Sequence, residues 1–174
     1  MAASIPASIL THDAARHIRA TWIDECTSHH SGCPKEYAVD MESRPKRLIH
    51  VAMEGAGPSA RLVNTVSLSD DLQYLALSHC WGGKKFITLQ KSNLEDFERS
   101  LPLESHDFNK TFAEAISITG LLGYTYLWID SLCIIQDTDE QGTIEDWEDE
   151  IPLSENPSPH DDRTYVGMLQ PNGT

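Results

Sequence analysis

The chain has 174 residues, enough for one domain with its own core and short for two. A hydrophobic fraction of 40% fits a soluble globular protein, and a net charge of −14 argues against nucleic acid or an anionic membrane surface as a partner. The acidity is uneven: residues 137–174 hold 11 Asp and Glu against one Arg, and the residues before them are nearly balanced.

The first ten residues read as a flexible start. They have no basic n-region and no long apolar run, so no secretory signal is expected, and no stretch reaches the roughly 18 apolar residues of a membrane span. Four cysteines in such a chain point to reduced thiols and a cytoplasmic setting. From Thr11 the pattern turns helical. Ile18, Trp22 and Cys26 fall on one face, Thr11 or Asp13 is placed to cap the helix, and Gly32 with Pro34 stops it. At its end, Cys26, His29, His30 and Cys33 form a Cys-x2-His-His-x2-Cys cluster. Zinc favours such ligands, and Cys26, His30 and Cys33 are the candidates. A structural site needs four ligands, however, and the fourth would have to come from afar, from Cys80 or Cys133, so no metal is assigned.

Residues 34–46 are polar and read as a linker. RLIHVA at 47–52 reads as a strand, residues 55–58 as a turn and residues 60–66 as a second strand, together a hairpin or edge ribbon. YLALS at 74–78 is an apolar strand that delivers Ser78, His79, Cys80 and Trp81 into the turn Gly82-Gly83. Residues 86–89 are short and apolar. Ser92 to Glu95 has capping-box spacing and opens a helix of about two turns, which Pro102 ends. Asn109 or Thr111 opens the next helix, running to about Leu122. Phe112, Ala115, Ile116 and Thr119 form its inner face, and Gly123 is its left-handed stop.

A strand follows at 126–129 and ends in Asp130, Ser131, Cys133, Gln136 and Asp137. Ile134 and Ile135 either extend it after a bulge or begin a new element. Strand, helical connection and strand predict a parallel βαβ unit. The predicted fold is α/β: a small, mostly parallel sheet with flanking helices, plus the N-terminal helix and the β-ribbon. The predicted divisions are 1–46, 47–150 and an acidic, proline-rich tail at 151–174 read as disordered.

The chemistry gathers where the two apolar strands end. Ser78, His79, Asp130, Gln136 and Asp137 would line one polar crevice at the carboxyl edge of the sheet, the usual ligand edge of an open α/β sheet. Equally, Asp130 and Ser131 would cap the following turn. His79 and Cys80 are nucleophile and base candidates, but strand neighbours point to opposite faces, so a Cys–His dyad needs His50 or His106 brought in by the fold. The plain alternative is a buried thiol and a hydrogen-bonded imidazole. Trp81, Trp128 and Trp147 either stack on a planar ligand or belong to the core. Glu114 is expected to face solvent or pair locally.

ALSHCWG at 76–82 and LGYTYLWIDSLCIIQD at 122–137, with RLIHV at 47–51, TFAEAISIT at 111–119 and DWEDE at 146–150, resemble the fungal heterokaryon-incompatibility (HET) domain. The resemblance covers about residues 47–150. It implies a role in non-self recognition and regulated cell death after fusion of incompatible cells. It also implies a TIR-like or flavodoxin-like core, and other HET or incompatibility proteins or further copies of the chain as partners. Some TIR domains, to which the HET domain is similar, cleave NAD with a glutamate that follows a tryptophan. Trp147 and Glu150 are the nearest match, spaced by three where the TIR pattern has four. By that resemblance Glu150 would be catalytic, with Ser78, His79 and Asp130 shaping the pocket and NAD as substrate. No cofactor is assigned, because Gly82-Gly83 alone does not make a phosphate loop. The family pattern breaks off at Pro152, which implies a third reading: a shortened, non-catalytic module that binds or modulates intact HET proteins.

Overall fold

The computed structural model describes residues 12–29, 45–55, 57–69, 72–79, 81, 85–138 and 146. The chain begins as one helical stretch: α1 (His12–Ile18), a π-helical turn (Arg19–Ile23) and α2 (Asp24–His29). The docked face is not the expected one. Ala15 is fully buried and Ile18 packs against the core, whereas Trp22 is 67% exposed. The wide π turn breaks the 3.6-residue register, so Trp22 leaves the line of Ile18. Arg19 takes its place at the contact. Its Nη1 donates to the carbonyls of Leu122 and Gly123 at 2.9 and 3.1 Å, and its guanidinium lies 4.9 Å from the centre of the Tyr124 ring.

β1 (Arg47–Glu54) and β2 (Gly57–Asn64) form the expected hairpin, tighter than its glycines suggest. Glu54 lies opposite Gly57, and Pro58 pairs with Met53 inside β2 rather than sitting in the turn. Proline is tolerated there because β2 is an edge strand. Thr65 and Val66 do not extend β2; they belong to a 3-10 turn, whose Val66 N–H is accepted by the Asn64 side chain. The Thr65 N–H and Oγ1 bond the carbonyls of Lys46 and Pro45 at 3.0 and 2.6 Å, which fixes the end of the predicted linker.

β3 is Leu75–Leu77. The Leu89 N–H donates to the Ser131 carbonyl at 2.9 Å, and the Leu89 carbonyl accepts from the Gln136 N–H at 2.8 Å. The capping box expected at Ser92 is replaced by Asn93. Its Oδ1 accepts from the Gln90 N–H and its Nδ2 donates to the Thr88 carbonyl, closing a turn ahead of α3 (Leu94–Arg99). That helix stops before Pro102, and the Leu101 N–H crosses to the Ala60 carbonyl at 2.8 Å.

α4 (Lys110–Leu121) is the helix the periodicity describes. The Asn109 side chain caps it from the Thr111 N–H, and Phe112, Ala115, Ile116 and Thr119 are buried. It ends in a Schellman turn. The Gly123 N–H bonds Gly120, the Tyr124 N–H bonds Thr119, and Gly123 has φ +78°. Gly123→Ala is expected to cost about 1–2 kcal/mol, the usual penalty of a left-handed non-glycine residue. The new Cβ would also stand 2.6 Å from Arg19 Nη1. Urea unfolding of the variant measures this; an unchanged midpoint would contradict it.

β4 (Tyr126–Ile129) runs directly into the short α5 (Asp130–Cys133), so Ile134 and Ile135 follow a helical turn rather than a bulge. The sheet order is β2-β1-β4-β3. β3 and β4 are parallel across a helical connection, as predicted. The sheet as a whole is not mostly parallel, because β1 is antiparallel to both β2 and β4. The ribbon does not stand apart: β1 pairs Ile49 with Leu127 and His50 with Tyr126, and the Val51 N–H reaches the Thr125 carbonyl at 2.7 Å. That register puts Ile49, Val51, Ala60, Leu62, Leu75, Leu77, Leu127 and Ile129 in one core with Phe112 and Ile116 of α4. Among the described residues no helix is long and apolar enough to cross a membrane. The tail at 151–174 lies outside the described residues.

Candidate functional site

Leu77 at the end of β3 lies opposite Ile129 at the end of β4. Because these strands are parallel, both chains leave the sheet at the same edge, and their polar residues meet there. Trp81 Nε1 donates to Asp130 Oδ2 at 2.9 Å. Asp130 Oδ1 accepts from the Ser131 N–H at 2.6 Å and lies 3.4 Å from His79 Nδ1. Asp130 therefore holds the following turn with one oxygen and the Trp81 indole with the other.

His79 sits in a box of rings. The Phe112 ring meets it edge-on with centroids 4.8 Å apart, Phe86 meets it at 6.0 Å, and Trp81 lies parallel within 13° at 6.3 Å. Its side chain is only 2% exposed, and neither ring nitrogen has a hydrogen-bond partner among the described residues. Burial holds its pKa below the usual 6.5, and the Asp130 charge pulls the other way without overcoming it. The imidazole is therefore neutral near neutral pH. Trp81, 40% exposed, is the outer wall of the box.

The lowered value has a consequence for stability. Above pH 6.5 the imidazole is neutral in both the folded and unfolded chains and contributes no pH dependence. As pH falls below 6.5 the unfolded chain takes up a proton that folded His79 resists, so stability drops until the lower folded value is passed. His50, lowered by burial and then by Arg61, acts in the same direction. Urea midpoints between pH 8 and pH 5.5 are expected to fall on the acid side, and less steeply in a His79→Gln variant.

The other expected site residues divide. Ser78 is exposed at the strand end. Gln136 lies behind Asp130, with Nε2 donating to the carbonyls of Ile134 at 2.9 Å and Asp130 at 3.3 Å. Asp137 serves elsewhere: its carboxylate accepts from the Lys91 N–H at 2.7 Å and braces the turn at 90–93. Trp128 is half-buried and packs against the core. Cys133 is fully buried, its Sγ accepting from the Ile129 N–H at 3.5 Å. His50 meets Tyr126, at the opposite end of β4 from Asp130, and His106 is fully exposed beside Asp107. Glu114 pairs locally with Lys110 at 3.8 Å, as expected.

Cys80, Gly82, Trp147 and Glu150 lie outside the described residues. Of the zinc candidates Cys26 is half-buried, while His30 and Cys33 also lie outside. Among the described residues no three metal-type side chains gather.

Sequence reasoning missed two parts of this region. One is the aromatic box: Phe86 and Phe112 read only as apolar residues, although Phe86 stands five residues after Trp81 in the sequence. The other is the pair Arg47–Asp146. Asp146 accepts from the Arg47 guanidinium and from the Ile135 N–H at 2.8 Å, with Lys46 Nζ at 3.5 Å. Arg47 Nε donates to the Cys133 carbonyl at 2.8 Å, so the first residue of β1 holds α5, the element that begins with Asp130. The signal was a cation opening a strand and an acid opening the DW motif, with nothing to join them.

Residues 74–153 match a protein family described as "Heterokaryon incompatibility protein (HET)". No curated protein and no solved structure matches the chain. The matched span holds β3, β4 and both strand ends of the site. β1, which pairs with β4, precedes it.

Proposed function

We propose that this chain, a heterokaryon-incompatibility (HET) domain protein by its match at residues 74–153, works in non-self recognition and signals regulated cell death when incompatible cells fuse. One observation carries the reading: the matched span is the one that folds into the Trp81–His79–Asp130 site. The site suits recognition: its histidine is buried and neutral, and the indole of Trp81 stands exposed at its outer wall. In this reading the module acts in the cytoplasm, on other incompatibility proteins or on further copies of itself. The NAD-cleaving and modulating readings gain no observation from the fold, since Glu150 lies outside the described residues.

Inducible expression of the chain in a filamentous fungal host tests the proposal. The expected result is growth arrest and loss of viability, relieved by Trp81→Leu and by Asp130→Ala at equal protein level. Harmless expression alongside an incompatible HET partner would contradict it. So would variants that kill as well as the parent.

A further inference from the structure

The face of the sheet turned away from the core carries a second group of polar side chains. Ile49, Val51, Leu62 and Leu127 belong to the core, so strand alternation places His50, Arg61 and Tyr126 on the opposite face. The register sets these three in one row. His50 of β1 lies opposite Arg61 of β2 on one side and opposite Tyr126 of β4 on the other. The His50 and Tyr126 rings meet edge-on with centroids 5.6 Å apart. Arg61 is exposed, and the other two are half-buried. Tyr126 opens β4 and Asp130 follows its last residue, so the row lies at the far end of the strand from Trp81 and Asp130.

None of the three side chains makes a hydrogen bond or an ion pair among the described residues. For Arg61 that is exceptional. Arg16, Arg47 and Arg99 pair with carboxylates, and Arg19 donates to carbonyls. The chain has carboxylates in excess, with a net charge of −14. Glu54, on the same face four residues from His50, accepts instead from Ser59 Oγ at 3.2 Å. The Arg61 guanidinium is therefore available to an anion from outside, and its fork suits a carboxylate or a phosphate. Its neighbours favour the phosphate. Burial lowers the His50 pKa below the usual 6.5 and the Arg61 charge lowers it further, so at neutral pH the imidazole is neutral and offers one N–H. The Tyr126 phenol offers one O–H. Donors from three adjacent strands match the three terminal oxygens of a phosphate group. The negative charge elsewhere on the chain is screened beyond about 8 Å at physiological ionic strength, so the local cation governs a small anion.

We infer that Arg61, His50 and Tyr126 form a binding site for a phosphate group, with the guanidinium meeting its charge and the imidazole and phenol its remaining oxygens. The site shares no residue with Trp81, His79 and Asp130, and it stands or falls independently of the proposed function.

The test is an NMR titration of the full chain at pH 7 and constant ionic strength with inorganic phosphate, O-phosphoserine and acetate. The His50 ring resonances are the reporter. Those of His106, fully exposed beside Asp107, are the control for unspecific effects. The expected result is a saturating shift at His50 and not at His106, with phosphate bound at least about tenfold more tightly than acetate. The tighter of the two phosphates shows whether the group is taken free or as an ester. Bound phosphate should also move the His50 titration to higher pH, because a negative charge nearby favours the imidazolium. Arg61→Gln, at an exposed position where folding is little at risk, should weaken phosphate at least about tenfold. Tyr126→Phe should weaken it about threefold, the loss of one hydrogen bond. Equal affinity for acetate and phosphate would overturn the inference. So would a shift that never saturates, one shared equally with His106, or an Arg61→Gln variant that binds phosphate as tightly as the parent.

Discussion

Phe112→Ala should lower the unfolding free energy by about 3–5 kcal/mol, the usual cost of emptying a buried phenylalanine site. Phe112 is fully buried on the first turn of α4, with His79, Phe86 and Phe108 at centroid distances of 4.8, 5.3 and 6.2 Å. Edge-to-face pairs add to the area term, and three rings lose their partner at once. Against a typical total of about 5–15 kcal/mol, this one change brings the domain close to unfolding. Phe112→Leu keeps most of the volume and should cost less than about 1.5 kcal/mol. Urea unfolding followed by tryptophan fluorescence measures both, with slopes of roughly 1–3 kcal/mol/M expected. Equal losses for the two variants would mean that the ring box does not carry the packing.

The second large effect is expected at Asp146. Its side chain is 13% exposed and that of Arg47 is 11% exposed, so the pair is largely out of water. Asp146→Ala leaves the guanidinium uncompensated and the Ile135 N–H without its acceptor, an expected loss of about 3–5 kcal/mol. Lys46, 38% exposed, contributes little by comparison. Arg47→Leu combined with Asp146→Leu removes both charges and should cost less than the two single changes added together. Additive losses would show that the two residues act separately. Because Arg47 also holds the Cys133 carbonyl, these variants should disturb Asp130 through α5 as well as weaken the fold.

Much of the frame was legible in the residues. The 3.6-residue spacing of Phe112, Ala115, Ile116 and Thr119, with Asn109 before them and Gly123 after, defines α4 almost to the residue. Two apolar runs joined by helices announced the parallel pair β3 and β4, and the polar ends that meet there. The direction of β1 was not legible. Alternating apolar residues read the same in a parallel or an antiparallel strand, and only the pairing of Ile49 with Leu127 decides. The π turn at 19–23 was hidden for a related reason, since the apolar spacing through Ile18, Trp22 and Cys26 fits an unbroken helix. In the site, Trp81 and Asp130 were legible as strand-end residues. Their union with Phe86 and Phe112 was not, because those rings come from separate elements and meet only through the topology.

The account turns on Asp130 holding Trp81 and His79 as one unit, and the tryptophan indole and histidine ring resonances of an Asp130→Ala variant test this most directly. The Trp81 N–H, having lost its acceptor, and the His79 ring, having lost its charged neighbour, should move together. Trp22 should stay in place. A Trp81 N–H unchanged in an otherwise folded variant would contradict the account, because the strand ends would then not form a single site.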